Sequence, residues 1–425
     1  MRNSCCMVFI LTTTFLVSNC EAQLLQARIG DWPWWRGPSA NGVAEPGQEA
    51  PVEWSATKNV SWKVNIPGRG HASPTVVGGR IFLATADEQV KTQSIVCFDR
   101  ETGKQLWTRK ISEGGFPLRI NRQNTHASCT IASDGTRLYA SFLHHEVIHV
   151  VALDLKGKVV WEREAGKFTP DEYKNGYAAS PVLYGKLVIV AGDFDGDAFL
   201  AAFDRASGKP AWKVPRPSRI NYASPVVAHV SGRDQLLISG CDIVAGYDPA
   251  TGKQLWKTAA TTMATAGTMV WDKDFVFASG GYPGAETICI RADGTSEHVW
   301  KNRQKCYEQS MLAHDGHIYA MNDGGILFCW NSATGAELWR ERLRGPISAS
   351  PVLSDGNIYF LNELGTTWVV RATPKQFQLI SKNQLDSESF ASPTICGGQI
   401  FLRVSEQVSG RQRDALYCLE NAAGK

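Results

Sequence analysis

A four-point pattern recurs along this chain and leaves few folds open to it. Asp99, Thr102, Gly103 and Trp107 have the same spacing as Asp248, Thr251, Gly252 and Trp256. Looser copies put a glycine four residues before a tryptophan at Gly157/Trp161, Gly208/Trp212 and Gly335/Trp339, with Asp154, Asp204 and Asn331 just upstream. A second signal falls in phase with the first. Ala-Ser-Pro followed by an apolar run occurs at 72–74, 179–181, 223–225, 349–351 and 391–393, and Ala127-Ser128-Cys129 stands as a variant. Spacing adds two more starts, near Met263 and Gln309, which makes eight units. Two of them depart from the pattern. The fifth runs from Asp293-Gly294 to a later Trp300, and the seventh has Thr373-Pro374-Lys375-Gln376-Phe377 and no tryptophan.

Repeats of this length signal a closed or stacked array of one supersecondary unit. Each unit reads as four short strands: an innermost Ser-Pro-Val type strand, a Gly-led apolar strand, a third ending in Asp, and a last one carrying Trp. Asp and Thr side chains satisfy local N–H groups in the turn, and Gly takes the positive φ that a two-residue hairpin requires. A four-stranded blade cannot bury both faces alone, so the units must pack on one another and close. The eighth unit stops after its third strand, while Asn59-Val60-Ser61-Trp62-Lys63-Val64 is an orphan Trp strand near the other end. Residues 59–66 are therefore expected to supply the outermost strand of the last blade, which removes the open edges. The fold class predicted is all-β, an eight-bladed β-propeller over 52–425, preceded by a Trp-rich arm at 23–51 expected to pack on the propeller surface as a plug, with a partner-binding strip as the alternative.

Residues 1–22 have the layout of a secretory signal peptide: Arg2, an apolar run from Cys5 to Val17, then small residues around Glu21. The expected location is exported, periplasmic or extracytoplasmic. A lipid anchor on Cys20 is the alternative, disfavoured by Asn19 directly before it. No stretch reaches the ~20 apolar residues of a transmembrane helix. Lys and Arg number 44 against 41 Asp and Glu, a balance that argues against nucleic acid as a partner. The cysteines beyond the leader lie mostly in apolar strand-like runs, and no C-x-x-C pair supports a zinc ribbon or a redox motif.

Residues entering the innermost strands point into a propeller's central funnel, the usual ligand position. His71 and His126 each precede Ala-Ser and so are expected at equivalent places on adjacent blades, with Tyr222 at a matching place and Arg69, Asn124, Tyr177 and Arg219 nearby. Together they form the candidate ligand-binding set. Asp193, Asp195 and Asp197 begin like a calcium loop, but Ala198 stands where glycine is needed and Asp204 replaces the closing glutamate. A hairpin turn explains the same residues. His144, His145 and His149, and likewise His314 and His317, are expected in solvated turns.

On the Asp-x-x-Thr-Gly-x-x-x-Trp motifs the chain resembles the pyrroloquinoline-quinone (PQQ) repeat superfamily of propellers, over about residues 52–420. The opening Trp32-Pro33-Trp34-Trp35-Arg36-Gly37-Pro38 is similar to the lead-in of exported bacterial members. The motif is a packing device and says little of activity. The resemblance offers two directions. One is a non-catalytic scaffold for protein partners in the cell envelope, as in the assembly factor BamB. The other is a quinoprotein dehydrogenase of alcohols or sugars holding PQQ and calcium under a vicinal disulfide. The adjacent cysteines Cys5 and Cys6 lie in the leader, and no calcium triad can be placed by motif. The scaffold is the function expected, with no cofactor; a small-ligand or glycan-binding funnel is a further alternative.

Overall fold

The computed structural model describes residues 24–385 and 387–422. The signal-peptide reading of 1–22 and the Cys20 anchor fall outside the described residues. Within them, eight four-stranded antiparallel sheets are formed, and no helix is long and apolar enough to cross a membrane. Seven blades use strands in chain order; the first, for example, runs Thr75–Val77, Arg80–Asp87, Thr92–Asp99 and Gln105–Glu113. The eighth runs Thr394–Cys396, Gln399–Val408, Arg411–Glu420 and then Val60–Ile66. Trp62 pairs with Cys418 and Val64 with Leu416, so the chain ends are joined as the orphan strand predicts.

The tryptophans act between blades. In the turn of blade one the Thr102 amide and hydroxyl both donate to Asp99 Oδ1, at 2.9 and 2.7 Å, and the Gly103 amide donates to the Asp99 carbonyl. The turn is longer than the two-residue form expected, spanning 100–104 between its strands. Gly103 has φ +69°, and a Cβ there would lie 2.6 Å from the Trp62 ring of blade eight. Only glycine lets the indole lie flat on the turn. The Trp62 N–H donates to the Arg100 carbonyl, and the ring packs on Phe401 of its own blade. Trp107 on Gly157, Trp161 on Gly208, Trp212 on Gly252 and Trp300 on Gly335 repeat the contact.

Blade seven lacks its tryptophan and borrows one. Trp54, from just before the closing strand, is buried and stacks on Tyr359 with centroids 6.3 Å apart; its amide donates to Asn383 of the blade's outer strand. On the neighbouring interface Phe377 meets Trp339 edge-on.

The arm packs against the inner strands and turns of several blades. Trp32 bridges Val76 of blade one, and Pro33 accepts from the Ser133 amide of blade two. Arg36 donates to the carbonyls of Met311 and Pro351, on blades six and seven. Val43 and Ala44 add to Leu353, and Gln48 accepts from Gly397 of blade eight. Arg36 is buried among carbonyls, and that burial lowers its pKa to about 9.

Candidate functional site

The innermost strands begin with a ring of hydroxyls. The Ser73 amide donates to Thr130 Oγ1, Thr130 to Ser180 Oγ and Ser180 to Ser224 Oγ, at 3.1, 3.0 and 2.8 Å. Across the axis Thr268 donates to Ser310, Ser310 to Ser350, Ser350 to Ser392 and Ser392 back to Ser73. Thr268 Oγ1 instead accepts the indole N–H of Trp35, at 2.8 Å. Seven of the eight blades thus satisfy this amide on the hydroxyl of the next blade.

The ring corrects the repeat register. Thr130, and not Ser128, is the blade-two counterpart of Ser73, and Thr268 marks blade five beyond the Met263 start. Counting back two from each hydroxyl gives His71, Ser128, Ala178, Tyr222, Ala266, Glu308, Ser348 and Phe390. These line a cavity of about 220 Å³ on the axis, floored by Trp35 and walled by Asn121, Gln123, Asn124, Asn175 and Tyr307.

Of the predicted ligand set, His71, Asn124 and Tyr222 line this cavity. The Asn175 amide donates to Tyr222 Oη at 2.7 Å, and Asn124 Nδ2 donates to the Asn175 carbonyl. His71 stacks on Phe390 at 4.5 Å; burial, then the positive charge of Arg403, pushes its pKa down to about 3, so the ring is neutral. The other four lie elsewhere. His126, displaced by the register shift, stacks on Phe116. Tyr177 is buried against Phe168, Arg69 pairs by its backbone with Ala86, and Arg219 faces Asp242 at 3.7 Å in solvent. Sequence reasoning missed Glu308, Asn121, Gln123, Asn175, Tyr307 and Trp35; the offset from each ring hydroxyl would have found Glu308. Burial pushes the Glu308 carboxyl up, with Glu363 and Asp323 adding to it against a hydrogen bond from Ser348.

The three aspartates do separate jobs in the hairpin between the second and third strands of blade three. Both oxygens of buried Asp193 accept from Arg216, at 3.0 and 2.9 Å, and one also accepts from Asn221. Asp195 accepts from the amides of Asp171 and Glu172, and Asp197 is exposed. Among the described residues their oxygens do not gather as a cation site would need. The expectation of solvated histidines fails for His144, which is buried; its pKa falls to about 4 through burial and the neighbouring His149.

The cavity lining offers amides, hydroxyls, aromatic rings and one carboxylate, with no lysine or arginine. Such walls favour a neutral ligand rich in hydroxyl groups and give an anion no counter-charge.

A family model described as "Outer membrane protein assembly factor BamB" matches residues 44–167, 91–340 and 310–375. Over 270 residues the chain is 28% identical to the outer membrane protein assembly factor BamB of Burkholderia pseudomallei, covering 62% of this chain and 65% of that one. The chain therefore spans a little under two thirds of that relative's length. Among solved structures, BamB from Moraxella catarrhalis superposes with TM-score 0.59 at 14% identity, over 86% of this chain and 99% of that one. A europium-containing methanol dehydrogenase reaches 0.66 at 12% identity, over 93% and 99%. The quinohemoprotein alcohol dehydrogenase from Comamonas testosteroni reaches 0.67 at 11%, over 93% and 81%. At these identities the superpositions establish the shared propeller and nothing finer. With the tryptophan turns, the closed ring of blades and a sequence match running from 44 to 375, the chain belongs to the PQQ-repeat propeller family of the BamB type.

Proposed function

We propose that this protein works outside the cytoplasm as a non-catalytic scaffold that holds a protein partner of outer-membrane protein assembly. The match to the BamB model along most of the propeller carries this reading. The geometry is in keeping with it. Strands alternate direction, so the hairpins between second and third strands and the links between blades share one face, the face of the cavity mouth. Val90, Leu118, Tyr282 and Leu364 stand exposed on those loops. Loops on a rigid scaffold are where binding surfaces arise, and exposed apolar side chains supply their anchors. The test is photo-cross-linking in cells from positions 118 and 364, with position 106 on the opposite face as control. The expected product is a cross-link from 118 or 364, and not from 106, to a component that assembles outer-membrane barrels. Absence of that adduct from both mouth positions overturns the scaffold reading.

A second reading rests on the cavity lining: a neutral, polyhydroxylated ligand such as a sugar. PQQ does not fit these residues, because its three carboxylates would face Glu308 with no cationic side chain among the lining residues. Calorimetry against neutral sugars, with Tyr222→Ala as the cavity variant, tests it. Sugar binding unaffected by that change would place the ligand elsewhere.

A further inference from the structure

A cluster of donor atoms outside the axial cavity has no part in the scaffold reading. It lies on blade two, where strand Arg137–His144 turns into Val147–Asp154. The register pairs His144 with Val147 and Phe142 with His149, which makes the two histidines diagonal neighbours across the hairpin. Their rings stack with centroids 3.7 Å apart and planes within 14°. The next strand, Val159–Lys167, brings Glu162 to the same place, with Oε1 3.2 Å from His149 Nδ1. One donor atom from each of His144, His149 and Glu162 can be chosen so that all lie within 4.8 Å of one another. At the turn itself His145 adds a third imidazole, its Nδ1 3.1 Å from His144 Nδ1.

Two features separate this cluster from an ordinary polar surface. His144 is 7% exposed, and its Nε2 is buried without a hydrogen-bond partner, an arrangement that destabilises the fold unless something satisfies the atom. Packing also presses two imidazoles and a carboxylate together, all with lone pairs to donate. Among the described residues no other group of His, Cys, Asp or Glu side chains draws together in this way.

We propose that His144, His149 and Glu162 bind a divalent transition-metal ion of the zinc type. Water would complete the shell. Imidazole and carboxylate donors suit zinc, copper and nickel, whereas calcium and magnesium prefer all-oxygen shells. Bonds of about 2.0–2.1 Å in a tetrahedral shell put ligand atoms on the order of 3.3 Å apart, so small rotations of the three side chains close the site. All three ligands sit on strands of one sheet, which fixes their spacing without any help from loops. The site is at the mouth-side end of blade two, beside the link to blade one, where the His145 amide donates to the Gly115 carbonyl.

The experiment uses the chain purified without a polyhistidine tag. Isothermal titration with zinc chloride is expected to give one ion per chain. Cobalt(II) is expected to give visible d–d bands characteristic of nitrogen and oxygen ligation. Glu162→Gln keeps the side-chain shape at a partly exposed position and should weaken zinc binding about a hundredfold or more; His149→Ala should do the same. The double variant His314→Ala/His317→Ala removes a histidine pair on distant blade six and should bind like the parent. Circular dichroism confirms that each variant is folded. Zinc binding unchanged in Glu162→Gln and His149→Ala, loss of binding in the His314/His317 variant, or displacement of zinc by equimolar calcium would each overturn the assignment.

Discussion

The rim and the axis of this propeller are built from the same eight units, yet they repeat differently. At the rim one contact recurs from blade to blade: an indole laid on a neighbour's turn glycine, often with its N–H on a nearby backbone carbonyl. Even blade seven, which lacks the residue, has Trp54 brought to it from just before the closing strand. At the axis the ring of serine and threonine hydroxyls recurs, but two residues further out the blades present six different residue types. There His71, Tyr222, Glu308 and Phe390 stand beside two alanines and two serines. Residues that repeat are doing a job that every blade shares, which is packing. Where repetition stops, the side chains answer to something that meets all the blades at once.

If that contrast is right, rim substitutions cost stability and leave binding at the mouth alone. Trp54→Ala should destabilise the fold by about 3–5 kcal/mol, comparable with Trp107→Ala, as urea denaturation would show. A much smaller loss for Trp54 would mean that it does not do the work of a blade tryptophan. Gly103→Ala forces a side chain into positive φ and against the Trp62 ring, and should cost about 1–3 kcal/mol by the same measurement.

Axial substitutions should instead change how stability responds to pH. His71 takes up its proton near 6.5 when unfolded but only near 3 in the fold. Below 6.5 the unfolded state therefore binds more protons, and stability falls with acidity until about pH 3. His71→Gln should flatten that part of the profile. The smallest effect is expected for Glu308→Gln. A carboxyl raised in the fold is most favourable below the unfolded value near 4.5 and loses stability as pH rises through its folded value. The glutamine removes this dependence, so thermal unfolding at neutral pH should change by no more than about 1 kcal/mol, and upward. A large destabilisation would show that Glu308 is structural, and the contrast would fail at that position.

Much of the rim could be read from the chain alone because its chemistry is local. Asp, Thr, Gly and Trp lie within nine residues of one another, and the orphan strand at 59–66 identified itself by lacking a blade. The axis was harder. Ala127-Ser128 imitates the strand-opening signal, but the true opening is Thr130, known only by a hydrogen bond to Ser180 on the next blade. That slip of two residues put His126 in the funnel in place of Ser128. The borrowed Trp54 and the pairing of His144 and His149 with Glu162 escaped for the same reason. Each depends on which strands lie side by side, and no spacing within a single unit records that.

The arm also constrains how the molecule can be made. Residues 32–48 lead the propeller in the chain, yet their partners run from Val76 to Gly397, so the first part synthesised must wait for the last. Val60–Ile66 waits as well, for Arg411–Glu420. Blades cannot settle one after another into a finished state as the chain emerges, and a product truncated by a single unit would leave both the arm and the clasp without their seats.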